Sequence, residues 1–198
     1  MTSVSLPDPV VLRTGPPRVD VRALERALRE RAGGEVRFDA GSRGAYSTDA
    51  SNYRQIPIGV VVPRTVDDAV QAIAVCREHG APVVSRGGGT SLAGQACNVA
   101  VVIDWSKSCH GLVSVDLAAK TCVIEPGIVL DELNAQLAPH RLMFGPKPAT
   151  HDHCTLGGSF SGEHGDGQAR GELLPKMFGE DLVRAFGQLK AVSTRATG

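Results

Sequence analysis

The sequence predicts an α+β fold, because a strand–helix–strand unit is followed by a strand hairpin. Residues 59–63 and 81–85 are short apolar runs, and the stretch between them has helical spacing after a capping Thr65. A crossover this short favours a parallel pair of buried strands, that is, a βαβ unit. Residues 112–116 and 121–125 are joined by a tight turn, which favours antiparallel pairing. The pairing is therefore expected to be mixed, which excludes a doubly wound parallel sheet.

The helices are predicted from apolar residues that recur every three or four positions. Asp20 is the expected N-cap of the first helix, which Gly33-Gly34 ends. Thr65 opens the second helix and Gly80 ends it. The faces expected to point inward are Val21, Leu24, Leu28 and Ala32 in the first helix, Val66, Val70, Ile73 and Cys76 in the second, and Leu130, Leu133 and Leu137 in a third.

The segments between these helices are predicted to be short strands and one irregular stretch. Residues 36–38, 99–104 and 142–144 have the composition of extended chain. Residues 39–55 are polar and are expected to be irregular. Residues 180–190 repeat apolar side chains at helical spacing, so a last helix is predicted there.

Composition and charge exclude several classes of protein. Among 198 residues, 21 lysines and arginines balance 21 aspartates and glutamates, and no basic cluster suggests a nucleic-acid partner. Five scattered cysteines without CxxC spacing fit reduced thiols better than a disulfide framework. No apolar run reaches the length of a membrane span or forms the core of a signal peptide. We therefore expect a cytoplasmic protein without a transmembrane segment.

A glycine-rich stretch follows directly on the second strand of the βαβ unit. Residues 86–91 read Arg-Gly-Gly-Gly-Thr-Ser. Consecutive glycines open backbone conformations that other residues avoid, so several N–H groups can converge on an anion. Thr90 and Ser91 add hydroxyl donors, and Arg86 adds positive charge. The spacing matches neither a Walker loop nor a GxGxxG fingerprint, so a phosphate-binding loop and a tight turn in solvent both remain open.

A second segment makes the pattern more specific. Residues 148–158 read PATHDHCTLGG. Together with residues 59–63, the capped helix and the loop up to Gly94, this segment resembles the FAD-binding domain of the vanillyl-alcohol oxidase and p-cresol methylhydroxylase (PCMH) type. The similarity covers roughly residues 35–158, and it is strongest to FAD-linked oxidases such as D-lactate, glycolate and 2-hydroxyglutarate dehydrogenases. It implies a small βαβ subdomain and a mixed or antiparallel sheet subdomain.

The resemblance implies that FAD is the cofactor. In this family the glycine loop wraps the FAD pyrophosphate, and the second segment runs along the flavin to a Thr-x-Gly-Gly turn. Zinc binding by His151, His153 and Cys154 is one alternative, but no pair of further ligands has suitable spacing. Some members of the family attach FAD covalently through histidine or cysteine, which is a second alternative. We favour lining of the flavin pocket over both. Carried over to this sequence, the FAD-binding residues are Arg86, Gly87, Gly88, Gly89, Thr90, Ser91, Gly94, Pro148, Thr150, His151, Thr155, Gly157 and Gly158.

Residues 161–168 resemble a different part of the same enzymes. They match a Gly-Glu-His-Gly motif that lies beyond the substrate-binding cap domain of the family. In the relatives that contain a metal, the glutamate helps to hold a divalent ion such as zinc, and the histidine removes the proton of the substrate hydroxyl. The resemblance thus implies Glu163 as a metal ligand and His164 as the catalytic base for a 2-hydroxy-acid substrate.

The sequence departs from the family between these two motifs, where Gly158 runs directly into Ser159. The resemblance implies that a cap domain and further histidine ligands are missing here, as an internal deletion would produce. We expect a flexible leader (1–18), a PCMH-type FAD-binding domain (19–158) and a remnant of the C-terminal oxidase region (159–198). Without those ligands, Glu163 should hold a metal only weakly and His164 should not act as a base on its own.

These observations leave three hypotheses about function. The first is an FAD-dependent oxidoreductase of 2-hydroxy acids. The second is a catalytically inactive, truncated flavin-binding module, and the third is an unrelated phosphate- or nucleotide-binding domain. Because the wall of the flavin pocket would lack its cover, self-association or a complementing chain is also expected.

Overall fold

The computed structural model describes residues 19–157, which form two sheets and four α-helices. One sheet has four strands and the other is a two-stranded hairpin. In chain order the elements are α1 (Val21–Arg31), β1 (Glu35–Arg37), α2 (Ala40–Ala45), β2 (Gly59–Val62), α3 (Val66–Glu78), β3 (Val83–Arg86), β4 (Val101–Asp104), β5 (Leu112–Asp116), β6 (Thr121–Ile124) and α4 (Leu130–Leu137), which continues into a 3₁₀ turn (Ala138–His140).

The four-stranded sheet has the order β1-β2-β4-β3, and only β1 is antiparallel to its neighbour. The strands predicted as a parallel pair, β2 and β3, do run in the same direction, but β4 lies between them. The predicted direct pairing is therefore wrong. So is the predicted burial of β3, which is an edge strand with Val83 37% exposed. A strand that is apolar on both faces, as β4 is, is best stabilised in the middle of a sheet.

Helices α1 and α3 pack together on one face of this sheet. Asp20 caps α1 by accepting from the N–H groups of Arg22 and Ala23, and Thr65 caps α3 by accepting from Asp68, as predicted. The predicted inward face of α3 holds for Cys76, which is buried, but is wrong for Val66, Val70 and Ile73, which are 42%, 54% and 42% exposed. The other buried positions of α3 are Ala69, Ala72 and Val75.

The alanines explain this rotation of α3. Their small side chains let the helix approach α1 and the sheet closely, and close packing gains dispersion contacts. Helix α3 carries two apolar stripes, and periodicity alone cannot decide between them. In α1 the prediction holds for Leu24, Leu28 and Ala32, which belong to the core, whereas Val21 is exposed.

The second half of the described chain, residues 112–157, has a smaller core. Strands β5 and β6 form the predicted antiparallel hairpin, as a sheet of their own. Helix α4 packs on the hairpin through Leu133 and Leu137, as predicted. The other face of the hairpin exposes Val113, Leu117 and Val123.

A short helix, α2, lies in the stretch that was predicted to be irregular. Asp39 caps it by accepting from the N–H of Ser42 at 2.8 Å. Two of its six residues are glycines, which lower the helix propensity, and this explains why the helix was not predicted from the sequence. The helix leads into residues 45–50, which reach the site described below.

Several expectations concern regions that the structure does not describe. The leader (1–18), the C-terminal remnant (159–198) and the helix predicted at 180–190 lie outside residues 19–157. Within residues 19–157, no helix has the length and hydrophobicity needed to cross a membrane.

Candidate cofactor site

The glycine loop, residues 86–94, begins where β3 ends. The carbonyl of Arg86 accepts a hydrogen bond from the N–H of Trp105 at 3.1 Å, which fixes the base of the loop against the end of β4. Gly89 and Gly94 have φ values of +67° and +77°, in the left-handed region that favours glycine. A Cβ on Gly94 would lie 2.8 Å from the ring of Tyr53, so a side chain there would also clash.

The loop presents a run of free backbone donors. Within residues 19–157, the N–H groups from Gly87 to Leu92 donate to no protein acceptor. Residues 87, 89, 90 and 91 are half-buried, where N–H groups are normally paired, and successive free N–H groups form a typical anion site. The hydroxyl of Ser91 is already bonded to the side chain of Gln95, so the free donor of Ser91 is its backbone N–H.

The second predicted segment, residues 148–157 (hereafter the cofactor segment), is held by helix α4. Val129 offers no side-chain cap, and the first N–H groups of α4 are satisfied by carbonyls of the segment. Leu130 donates to the carbonyl of Cys154 at 3.2 Å, and Asp131 donates to that of His151 at 3.2 Å. The side chain of His151 completes the contact, with Nδ1 2.7 Å from Oδ2 of Asp131.

The structure brings the loop and the cofactor segment together. A Cβ on Gly87 would overlap the hydroxyl of Thr155, and a Cβ on Gly88 would overlap the carbonyl oxygen of His153. These glycines therefore allow close backbone contact as well as free N–H groups. Beside them, Trp105 Nε1 donates to Ser85 Oγ at 2.8 Å, and Ser85 Oγ donates to the carbonyl of Gly157 at 3.2 Å.

The two segments line a cleft of about 350 Å³. Arg86, Gly88, Gly89 and Thr90 line it from the loop, and Thr150 and His153 line it from the cofactor segment. A third wall, residues 45–50, is missing from the sequence prediction. The N–H of Ala50 donates to the carbonyl of Gly89 at 3.0 Å, so this wall is bonded directly to the loop.

Asp49 in the third wall is a carboxylate beside a site with free N–H donors. Burial alone would raise the pKa of its carboxyl, but hydrogen bonds from Ser51 and Ala96 hold that pKa below the ordinary value. Its oxygens therefore serve the loop as acceptors, since the bond from Ala96 secures the chain just beyond Gly94. A polar stretch such as residues 45–50 carries no sequence signal for this role beyond the short Asx-type spacing of Asp49 and Ser51.

The guanidinium of Arg86 is held by two backbone carbonyls and an aromatic ring. Its Nη1 donates to the carbonyls of Thr48 at 2.9 Å and Ala96 at 3.3 Å. Its guanidinium carbon lies 5.7 Å from the centre of the Tyr46 ring. The side chain thus joins the third wall to both ends of the glycine loop.

The other predicted site residues fall into two groups. Pro148 and Thr155 lie half-buried in the cofactor segment, beside the residues that line the cleft. Gly158, Glu163 and His164 lie outside the described residues, so their roles remain predictions. In the part of the chain that the structure describes, no three His, Cys, Asp or Glu side chains converge as a metal site would need.

Comparison with curated proteins gives two informative relatives. The chain is 30% identical over 128 residues to a D-2-hydroxyglutarate dehydrogenase of Pseudomonas putida, which covers 63% of this chain and 13% of that protein. It is 27% identical over 162 residues to glycolate oxidase subunit GlcD of Bacillus subtilis, which covers 79% of this chain and 34% of the relative. The chain therefore spans only a minor part of each relative.

Comparison with solved structures supports the fold. An alkyldihydroxyacetonephosphate synthase matches 78% of this chain and 32% of its own, with a TM-score of 0.64 at 21% identity. A p-cresol methylhydroxylase matches 61% of this chain and 25% of its own, with a TM-score of 0.52 at 19% identity. The predicted PCMH-type α+β fold is thereby confirmed.

One family accounts for the loop, the cofactor segment and the strands that carry them. The family described as FAD binding domain matches residues 57–177, which is more than half of the chain. The match includes both predicted cofactor segments in the order expected for that family. This chain therefore belongs to the FAD binding domain family.

Proposed function

We propose that this chain binds FAD in the cleft between the glycine loop and the cofactor segment, as the flavin-binding part of a 2-hydroxy-acid oxidoreductase. The observation that carries the proposal is the contact of these two segments beside free N–H groups. Segments about sixty residues apart in sequence meet at Gly87 and Thr155 and at Gly88 and His153. A dinucleotide such as FAD needs an anion-binding loop for its pyrophosphate and a second wall along the rest of the molecule.

The residues of the cleft fit the cofactor. The N–H groups of residues 87–92 and the hydroxyl of Thr90 provide donors for the pyrophosphate oxygens. Thr150, His151 and Thr155 provide polar atoms along the second wall, toward the flavin end. A cleft of about 350 Å³ encloses only part of so large a molecule, so part of the cofactor would extend along the cofactor segment.

Each wall has a separate task in this proposal. The loop binds the diphosphate, and helix α4 orients the cofactor segment through the backbone bonds to His151 and Cys154. A bound flavin would supply the acceptor for a hydride from the carbon that bears the substrate hydroxyl. The pair of His151 and Asp131 fixes the imidazole plane, which keeps that side chain in place along the wall.

The substrate class rests on the relatives. The names of the two curated relatives refer to D-2-hydroxyglutarate and to glycolate, which are both 2-hydroxy acids. We propose that 2-hydroxy acids are also the substrates of the oxidoreductase in which this FAD-binding part acts. The second candidate is a flavin-binding module without turnover. The observation behind it is that the chain spans 13% and 34% of the length of those two relatives.

A spectrum of the purified protein tests the first part of this proposal. Bound FAD gives a yellow protein, and titration with FAD should quench the emission of Trp105, the single tryptophan, which lies at the base of the loop. A colourless protein with unchanged emission at saturating FAD would refute FAD binding.

Anaerobic mixing with substrate separates the two candidates. Bleaching of the bound flavin by D-2-hydroxyglutarate, glycolate or D-lactate would support an active oxidoreductase. A yellow protein that none of these acids bleaches would identify a flavin-binding module. Addition of free L-2-hydroxy acids serves as the stereochemical control.

A further inference from the structure

The side chain of Arg86 lines the cleft and contacts the glycine loop at Gly89. Its Nη1 donates to the carbonyl of Thr48 in the third wall and to that of Ala96, just after the loop. A Cβ on Gly89 would lie 2.5 Å from Nη2, so the positive group is in contact with the left-handed turn of the loop. The charge is therefore held at one place relative to the free N–H groups.

Tyr46 supports this guanidinium from the side of the sheet. The ring centre lies 5.7 Å from Cζ of Arg86, within the range of a cation–π contact. The ring packs against Val60, Val62 and Val102, and the phenol donates to Oδ2 of Asp104 at 2.5 Å. Both the ring plane and the hydroxyl of Tyr46 are thus fixed.

Asp104 is the anchor of this arrangement. Its side chain is almost fully buried, with the residue 6% exposed. Besides the phenol of Tyr46, it accepts from the N–H and the hydroxyl of Ser106. A buried carboxylate with three donors does not move easily, because any lost donor would leave it unsatisfied.

The positive charge of Arg86 is held in place before an anion arrives. Nη1 keeps its bonds to the carbonyls of Thr48 and Ala96, while Nη2 lies against the loop at Gly89 and donates to no acceptor within residues 19–157. Coulomb attraction falls only slowly with distance, and a charge fixed in advance needs no reorganisation when the anion arrives.

We propose that Arg86 strengthens pyrophosphate binding as a fixed charge at the wall of the cleft, and that Tyr46 is the residue that positions it. The inference rests on the proposed binding of FAD in this cleft. It goes beyond that function because it assigns a role to Tyr46, which no sequence motif contains.

The test measures the dissociation constant of FAD with the full 198-residue chain at low and high salt. At about 0.01 M and about 1 M salt the Debye length is about 30 Å and about 3 Å, so a charge effect differs between the two conditions. We expect Arg86→Met to weaken binding about tenfold at low salt, which corresponds to about 1.4 kcal/mol, and much less at high salt. Equal weakening at both salts, or none, would overturn the proposal.

The positioning role of Tyr46 has its own readout. We expect Tyr46→Leu to weaken binding at low salt by about threefold, as loss of a modest cation–π contact would. In the Arg86→Met background the same change should have no further effect, because Tyr46 acts through Arg86. An undiminished effect in that background would overturn the role of Tyr46.

Two controls keep the experiment decisive. Arg22→Met removes the same charge from an exposed position on α1 and should leave the FAD affinity unchanged. If Arg86→Met fails to fold by circular dichroism, Arg86→Lys keeps the charge and should keep the salt dependence, and its loss there would refute the proposal. A wild-type chain that binds no FAD refutes the proposed function and this inference with it, whereas wild-type binding with unaffected variants refutes only the inference.

Discussion

The two halves of the described chain differ in how completely their sheets are buried. In residues 19–105, every position of β2 and β4 is buried, between α1 and α3 on one face and Tyr46 on the other. In residues 112–157, β5 and β6 have one covered face, and Val113 and Val123 are 65% and 58% exposed. Burial of apolar surface contributes roughly 25 cal/mol per Å², so the first half has the larger hydrophobic stabilisation.

The cleft lies between these two halves, one with a sheet buried on both faces and the other with a hairpin covered on one face only. The glycine loop belongs to the first half, and the cofactor segment is held by α4 in the second. Changes in the loop should therefore act on FAD directly. Changes in α4 should act by loosening one wall of the cleft.

The largest effect is expected from Gly88→Val. The new side chain would overlap the carbonyl oxygen of His153 and cover the free N–H groups, so FAD affinity should fall by at least about 100-fold, or about 2.7 kcal/mol. FAD titration followed by Trp105 emission measures it. Gly145→Val is the matched control, because a Cβ on Gly145 meets nothing within 4 Å. Unchanged flavin content in the Gly88 variant would refute the assignment of the loop.

A pair of core truncations compares the two halves. Leu133→Ala and Leu28→Ala each remove a fully buried leucine and should each lower the free energy of unfolding by about 2–5 kcal/mol. Only the change at Leu133 lies beneath the cofactor segment, so only it should also weaken FAD binding, by about tenfold. Urea unfolding and FAD titration under folded conditions separate the two effects. Equal loss of FAD affinity in both variants would contradict a specific role of the core beneath the cofactor segment.

A smaller effect is expected from Asp131→Asn. The contact with Nδ1 of His151 is half-exposed, and such pairs contribute about 0.2–1 kcal/mol, so FAD affinity should fall by a factor between about 1.4 and about 5. Glu132→Gln removes the same charge from the same first turn of α4 and is the control for the helix dipole. If both variants bind FAD equally well, the contact with His151 does not support the cleft.

The smallest effect concerns the pH dependence of the well-buried half. Burial, together with the hydrogen bond to Asp104, raises the pKa of Tyr46 to about 12. The folded chain then keeps a proton that unfolded tyrosine loses near pH 10, so this contribution to stability is full below about pH 10 and is lost as the pH rises toward 12.

Tyr46→Phe tests this dependence. The wild type should lose stability above about pH 10 more steeply than the variant, by less than about 1 kcal/mol at this half-buried site. Urea midpoints across that pH range measure the difference. Parallel curves for the two proteins would contradict a raised pKa for Tyr46.

Much of the candidate site could be predicted from the sequence, because its signals are local. Thr65 and Asp20 cap helices through bonds to N–H groups two or three residues away. The sequence shows the loop and the second turn through their glycines, Gly87 to Gly89 and the Thr-x-Gly-Gly pattern, because few other residues allow the backbone conformations needed there. The hairpin of β5 and β6 needs only its turn and the alternation of its strands.

What the sequence could not provide depends on contacts between distant residues. The order of the sheet follows from the burial of β4 on both faces, and the orientation of α3 follows from the fit of Ala69 and Ala72. The third wall of the cleft carries no motif, because residues 45–50 act through contacts with distant residues such as Arg86, Gly89 and Ala96.

The sequence by itself therefore determined the α+β class, the caps, the loop and the family of this chain. Tertiary structure alone decided which side chains surround Arg86, which face of α3 is buried and how α4 holds His151. Local signals depend on the conformational limits of single residues, which every copy of a motif shares. Burial and long-range hydrogen bonds depend on which surfaces meet, and these become defined only when the two halves pack at Gly87 and Thr155.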